Sequence, residues 1–335
     1  MGFPRVSVVI PTYNCDRYIA QAVESVLNQK NFDDYEIIVI DDGSQDNTEA
    51  VLKPYEGKNF RYVLQNNQGV ALARNHGIEL AEGELIAFLD ADDYFLRAKL
   101  AAQVAIFEEQ PNLGIVHSGW RRVDPDGKLL MNVRPWKNVP ELTLESWLRW
   151  KPILPSAMMF RRHWLKLVGG FDPRYPPAED TELVLRLALA GCEAAWLQRV
   201  TVCYRQHGQS AMSKGLPQAR SLAAAMRNFF AQPNLPEGVQ LIERQVLYGT
   251  FVWIAWYLYS TGHPTEMVKY LRESLSYRSA SPLETIINWG DSFAEYCTSL
   301  GEELDADALG KLPEWQDLVK SLLWEQEVSA VKLIR

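Results

Sequence analysis

A chain of 335 residues has room for one large domain or two moderate ones, each with its own core. Its 34 Lys and Arg against 42 Asp and Glu leave a formal net charge of -8, and with no basic stripe an extended nucleic-acid footprint is excluded. Cys15, Cys192, Cys203 and Cys297 are scattered without CxxC or zinc-ligand spacing, which reads as buried thiols in a reducing compartment.

Met1-Gly2-Phe3-Pro4-Arg5 leads directly into the apolar run Val6–Ile10, so the expectation is a first buried strand with no signal peptide before it. Pro11 stops that strand, and Ile19, Val23, Val26 and Leu27 then recur at helical spacing. Tyr35–Ile40 reads as a second strand ending at Asp41-Asp42-Gly43-Ser44. A helix over 46–53, a strand over 60–64 and a helix over 70–81 follow. Leu85–Leu89 is a third apolar strand running straight into Asp90-Ala91-Asp92-Asp93. Crowded carboxylates at a strand end repel one another unless a cation, hydrogen bonds or solvent offset the charge. At the carboxyl edge of a sheet, that pattern suits a divalent-metal site for a phosphate-bearing ligand. A helix near 97–109 and a strand over 113–118 complete an α/β series with a mostly parallel sheet.

The rhythm changes after residue 118. Asp124-Pro125-Asp126-Gly127 predicts a hairpin turn, Ser156–Phe160 a strand returning to the sheet, and 181–190 a helix closed by Gly191. Two short strands are expected between Ala194 and Tyr204, and beyond about 215 the pattern is helical. Within that tail, Ser281-Pro282-Leu283-Glu284 predicts a capping box with Pro at the first helical position. Gln245 to Thr265 carries no formal charge, but its apolar centre falls short of the roughly 20 residues of a membrane span. It reads as a buried helix, with peripheral membrane contact as the alternative.

The chemistry concentrates in a few places. Asp41 is suited to accept hydrogen bonds from a base or sugar, and Asp92 to offer oxygen to Mg²⁺ or Mn²⁺; the plainer reading of such Asp residues is helix capping or turn formation. Asp180, after Glu179, is either a helix-dipole partner or a general base aimed at an acceptor hydroxyl. Arg205 is suited to phosphate oxygens and His207 to metal or diphosphate. Arg74 reaches either phosphate or the neighbouring acids.

The ordered set Val8–Asn14, Val39–Ser44, Gly69–Asn75, Asp90–Asp93, Val168–Asp172, Glu179-Asp180 and Tyr204–His207 followed by Ser210 resembles the family 2 glycosyltransferases. That resemblance implies an α/β GT-A fold, a Rossmann-like mixed sheet with flanking helices, over residues 1–213, with a C-terminal helical region at 214–335. It implies an inverting, metal-assisted transfer from a nucleotide sugar, UDP-sugar first, with GDP and dTDP sugars as the other donors. Pro11, Thr12 and Tyr13 would line the nucleotide pocket and Asp41 would meet the base. Asp90 would lie near the ribose with Ala91 beside it, and Asp92 would hold Mg²⁺ or Mn²⁺. Asp180 would be the catalytic base, with Glu179 beside the sugar; His207 would serve diphosphate or metal. The acceptor would be a saccharide, lipid-linked glycan, peptide or small molecule, and the setting cytoplasmic or peripheral at the membrane's inner face. Nothing in the motifs specifies an oligomeric state. A non-catalytic sugar-nucleotide or carbohydrate-binding protein of the same fold is the competing reading. A dinucleotide-dependent oxidoreductase is disfavoured because no GxGxxG follows the first strand.

Overall fold

Strands β1 (Val6–Thr12), β2 (Tyr35–Asp41) and β4 (Leu85–Phe88) are almost uniformly apolar, and nearly every residue in them is buried. Such runs suit strands covered on both faces. The computed structural model describes residues 3–57, 59–208, 215–278 and 280–333, with side chains to residue 324. Ser210 lies outside the described residues. Residues 1–210 and 211–335 form two compact units.

In the first unit, β3 (Phe60–Leu64), β2, β1 and β4 are parallel neighbours. Next to β4 the sheet turns mixed. β8 (Met158–Arg161) lies antiparallel between β4 and β6 (Leu113–Val123), and β9 (Glu193–Arg205) runs parallel to β6. β5 (Tyr94–Phe95) closes that edge against β9, and β7 (Leu129–Val133) hangs from β6 as a hairpin arm. Helices α1 (Ile19–Leu27), α2 (Thr48–Leu52), α3 (Val70–Leu80) and α4 (Lys99–Glu109) connect the strands. α1 buries Ile19, Ala22, Val23 and Val26, a stripe at helical spacing, in the sheet's main core cluster.

The two short strands expected between Ala194 and Tyr204 are one long strand, β9. Its partner β6 is equally extended, and register slips between Ser118 and Trp120 absorb the irregularity as bulges without ending the ladder. Gly119 sits at that slip because a Cβ there would come within 2.5 Å of the Val133 carbonyl oxygen and 2.8 Å of the Trp136 ring.

Downstream come α5 (Leu144–Trp150), α6 (Arg162–Leu167) and α7 (Glu179–Leu189). The loop into α7 is docked on α3 by Asn75, whose Oδ1 accepts the Phe171 N–H at 2.7 Å and whose Nδ2 donates to the Phe171 carbonyl at 2.8 Å. Gly170 allows this with φ +73°, and a Cβ there would lie 2.3 Å from Asn75 Oδ1. Gly170→Ala is expected to cost about 2–4 kcal/mol, from a left-handed alanine and a displaced Asn75 pair. The check is a lower urea midpoint with an unchanged m value.

The second unit is helical: α8 (Leu216–Phe230), α9 (Glu237–Ser260), α10 (Pro264–Ser274), α11 (Pro282–Ser299), α12 (Ala306–Lys311) and α13 (Pro313–Leu333). The uncharged run lies in α9, where Phe251, Val252, Ile254, Ala255, Trp256, Tyr257 and Leu258 are buried, so the run is core and not a membrane-facing surface. Among the described residues no helix is long and apolar enough to cross a membrane. α11 opens with the expected capping box: Ser281 Oγ accepts the Glu284 N–H and the Glu284 carboxylate accepts the Ser281 N–H.

Candidate active site

Because β1, β2 and β4 are parallel, their carboxyl ends share one edge of the sheet. Thr12 pairs in register with Asp41, and the Leu89 N–H continues from β4 to the Val9 carbonyl at 3.0 Å. That edge gathers the sequence-predicted residues.

At the β1–β2 end, Pro11 and Thr12 are buried, and Thr12 Oγ1 has no hydrogen-bond partner. Tyr13 leaves the sheet with its side chain 49% exposed, which removes the core role for its ring. Asp41 is 1% exposed; Oδ1 accepts the Ser44 N–H and Oδ2 the Tyr62 hydroxyl, both at 2.8 Å. Asp42 is an organiser of the chain: it accepts from Gln65 Nε2, the Gln68 N–H and the Gly69 N–H, holding the loop that enters α3.

The acid loop after β4 divides its carboxylates. Asp93 points inward, 1% exposed, with Oδ1 on the Arg205 N–H at 3.0 Å; burial, then the Asp92 and Asp90 charges, push its carboxyl well above the usual range. Ala91 is also buried. Asp92 Oδ2 stands 2.8 Å from His207 Nε2. Burial and then Asp90 raise the Asp92 carboxyl, while His207 opposes the shift. The His207 ring in turn packs 5.4 Å from the Tyr18 ring.

Arg74, in the first turns of α3, joins this loop to α7. Its Nη2 donates to Asp90 Oδ1 at 2.7 Å and its Nη1 to Glu179 Oε1 at 2.6 Å, with the Arg74 and Glu179 side chains 5% and 4% exposed. The guanidinium also lies 5.2 Å over the Phe171 ring. Of its two expected roles, Arg74 takes the binding of neighbouring acids. Glu179 is correspondingly a buried ion-pair partner. Asp180, the next residue, keeps partial contact with solvent, and its Oδ1 accepts the Thr181 N–H at 2.6 Å. Burial and then the Glu179 charge push its carboxyl up to about 7, against a pull downward from Arg74.

Arg205 corrects the sequence expectation. It is 2% exposed, and its guanidinium is engaged by protein: Nε donates to the Asp92 carbonyl at 2.9 Å, Nη1 to the Pro125 carbonyl at 2.7 Å, and Nη2 to Gln21. A strand-end arginine facing a bend finds backbone carbonyls before it finds phosphate. It therefore ties the acid loop to the hairpin turn.

Sequence reasoning missed two supports. Ser156 Oγ accepts the Asp90 N–H at 3.1 Å, and Tyr18 lies under both His207 and the Arg205 guanidinium, the latter 4.5 Å from its ring. Neither belongs to a charged motif or an apolar period. Tyr18's one local signal was its place just before a helix.

Asp92 and His207 pair a hard carboxylate oxygen with an imidazole nitrogen. That donor set fits Mg²⁺ or Mn²⁺, which keep most of their coordination for phosphate oxygens and water. Among the described residues no group of three or more His, Cys, Asp or Glu converges as a self-sufficient cage.

The family model described as Glycosyl transferase family 2 matches residues 7–168. The chondroitin synthase of Pasteurella multocida (strain Pm70) is 33% identical over 217 residues, covering 64% of this chain but only 22% of that protein. Among solved structures, S. aureus TarS 1–349 in complex with UDP-GlcNAc superposes with a TM-score of 0.66 at 20% identity, covering 89% of this chain and 92% of that one. The mannosyltransferase PcManGT from Pyrobaculum calidifontis, in complex with GDP-Man and Mn2+, gives 0.61 at 18% identity, covering 99% and 87%. The two structural likenesses establish the fold, and the family model overlies the sheet edge that carries the acid loop. Residues 7–168 thus carry the match to glycosyl transferase family 2, on a GT-A-like fold.

Proposed function

We propose that this protein transfers a sugar from a nucleoside diphosphate sugar, UDP-sugar by preference, to an acceptor hydroxyl, inverting the anomeric carbon. The observation that carries the reading is Asp180: a carboxylate held near neutrality at the head of α7, joined through Glu179 and Arg74 to the acid loop. A base poised near working pH is what removal of a hydroxyl proton calls for. In a single displacement the acceptor oxygen attacks the anomeric carbon as the bond to the diphosphate oxygen breaks. The acceptor proton passes to Asp180, and the nucleoside diphosphate leaves with the bonding pair.

Tyr13's exposed ring offers a stacking face for the base, while Asp41 anchors that end of the pocket through Ser44 and Tyr62. Asp90, fixed by Arg74 and Ser156, faces the ribose side. Arg205 positions Asp92 from beneath. Asp92 and His207 would hold a divalent cation, which supplies charge neutralisation for the departing diphosphate. The chondroitin synthase similarity supports a saccharide acceptor, and the four free cysteines fit a cytoplasmic setting.

A screen of UDP-, GDP- and dTDP-sugars with Mg²⁺ or Mn²⁺, read as donor affinity and released nucleoside diphosphate, tests the proposal. UDP release with metal-dependent affinity is expected, and Asp92→Asn should abolish most of the metal's effect on donor binding. Donor affinity indifferent to metal in the wild type would remove Asp92 and His207 from that role. No diphosphate release from any nucleotide sugar would favour the non-catalytic reading.

A further inference from the structure

The β6–β7 hairpin is a basic excursion from an acidic chain. Between Trp120 and Lys137 it carries Arg121, Arg122, Lys128, Arg134 and Lys137 against only Asp124 and Asp126. Both acids are engaged: Asp124 Oδ1 accepts the Asp126 and Lys128 N–H groups within the turn, and Asp126 pairs with Arg17, just before α1. Among the described residues, Arg121, Lys128, Arg134 and Lys137 are all exposed and enter no ion pair. Beside them Leu129 and Leu130 are 49% and 53% exposed. The register slips between Arg122 and Val123, so that Met131 and Leu129 are paired and Leu130 is bulged outward.

Exposed cations without an ion-pair partner around adjacent exposed leucines, on a hairpin at the edge of the sheet, match a surface that is anionic above and apolar beneath. A second copy of the chain is a poorer occupant, because charged residues along an edge strand such as β7 oppose strand-to-strand pairing. A soluble polyanion would use the cations and leave the leucines without a role. The hairpin is also tied to the acid loop. One guanidinium, Arg205, holds the Pro125 carbonyl at its turn and the Asp92 carbonyl in the loop.

We infer that the β6–β7 hairpin docks the protein on an anionic lipid bilayer, with Lys128, Arg134 and their neighbours at the headgroups and Leu129 and Leu130 in the interfacial layer. The acid loop is then held close to that surface, where an acceptor carried on a lipid would present its hydroxyl. The inference is independent of the transferase reading, since vesicle binding is measured without turnover.

The test is co-sedimentation of the full chain with vesicles of phosphatidylcholine alone and of an equimolar phosphatidylcholine–phosphatidylglycerol mixture. Binding to the mixed vesicles alone, weakened by raised salt, is expected. Lys128→Gln and Arg134→Gln should each weaken it about fivefold, and the double substitution Leu129→Ser, Leu130→Ser on the order of tenfold or more. Each variant is checked for an unchanged melting temperature. Failure of the wild type to bind mixed vesicles overturns the inference. So does full binding by the serine variant, with equal affinity for soluble polyphosphate, which would make the hairpin a polyanion site. A vesicle-free dimer dissolved by the serine substitutions would assign the leucines to a second copy, overturning it as well.

Discussion

Asp180→Asn is expected to lower transfer by about 10²–10⁴-fold, the range removed with a positioned general base. Donor affinity should change little, because the substitution leaves the Asp92–His207 pair in place and asparagine can still accept the Thr181 N–H. The wild-type acid limb follows from the same carboxyl. Below about pH 7, where Asp180 is protonated, kcat/KM should fall tenfold per unit. Stability should move in the opposite direction to activity. The folded carboxyl titrates at about 7, above its ordinary 3.8, so the native state resists an ionisation that the unfolded chain undergoes freely. Wild-type stability therefore declines as pH rises from about 4 to 7, and the penalty is complete above 7. The Asn variant escapes it: its melting temperature should exceed wild type at pH 8, and the gain should vanish below pH 4. A variant that is fully active, or no more stable at pH 8, would remove Asp180 from this role.

Arg74→Met should destabilise the first unit by about 3–5 kcal/mol, the usual cost of leaving buried charge without its partner. Here two carboxylates lose one cation, Glu179 outright and Asp90 at the cleft edge. Arg74→Lys should recover only part of this, since an ammonium lacks the planar fork that reaches both acids at once. The kinetic signature separates a positioning role from simple loss of fold. Arg74 holds the Asp180 carboxyl down by its charge, so in the folded fraction of Arg74→Met the acid limb should move to higher pH, while Arg74→Lys, which keeps the charge, should leave it nearer the wild type. An unshifted limb in Arg74→Met at reduced stability would confine Arg74 to structure.

The strands and the acid loop were legible in the sequence because buried parallel strands are written as continuous apolar runs, with their carboxylates at the ends. Asp90 and Asp92 could be found that way, and Asp180, at a helix start, was tied to them by the ordered motifs. What could not be read was how individual arginines pair. Arg74 and Arg205 are both single cations near acids in sequence, but one is clamped between carboxylates and the other is engaged by backbone carbonyls. That choice is made by residues 16 to 184 positions away, which no local pattern encodes. The same holds for β9, where composition suggested a break that the long partner β6 bridges.

The unbroken course of β9 has a consequence for how the cleft moves. The strand leaves the sheet interior beside Leu113 and Ile115, and its last residues, Val202 to Arg205, are still paired with β6 while Val202 and Cys203 also pair with β5. A rim built as a loose loop would open and close by itself. This one is the far end of a core ladder, so its amides belong to the same cooperative opening unit as the centre of the sheet. The wall under His207 is thus as reluctant to breathe as the core, and conformational adjustment during a reaction cycle falls to the segments that leave the ladder.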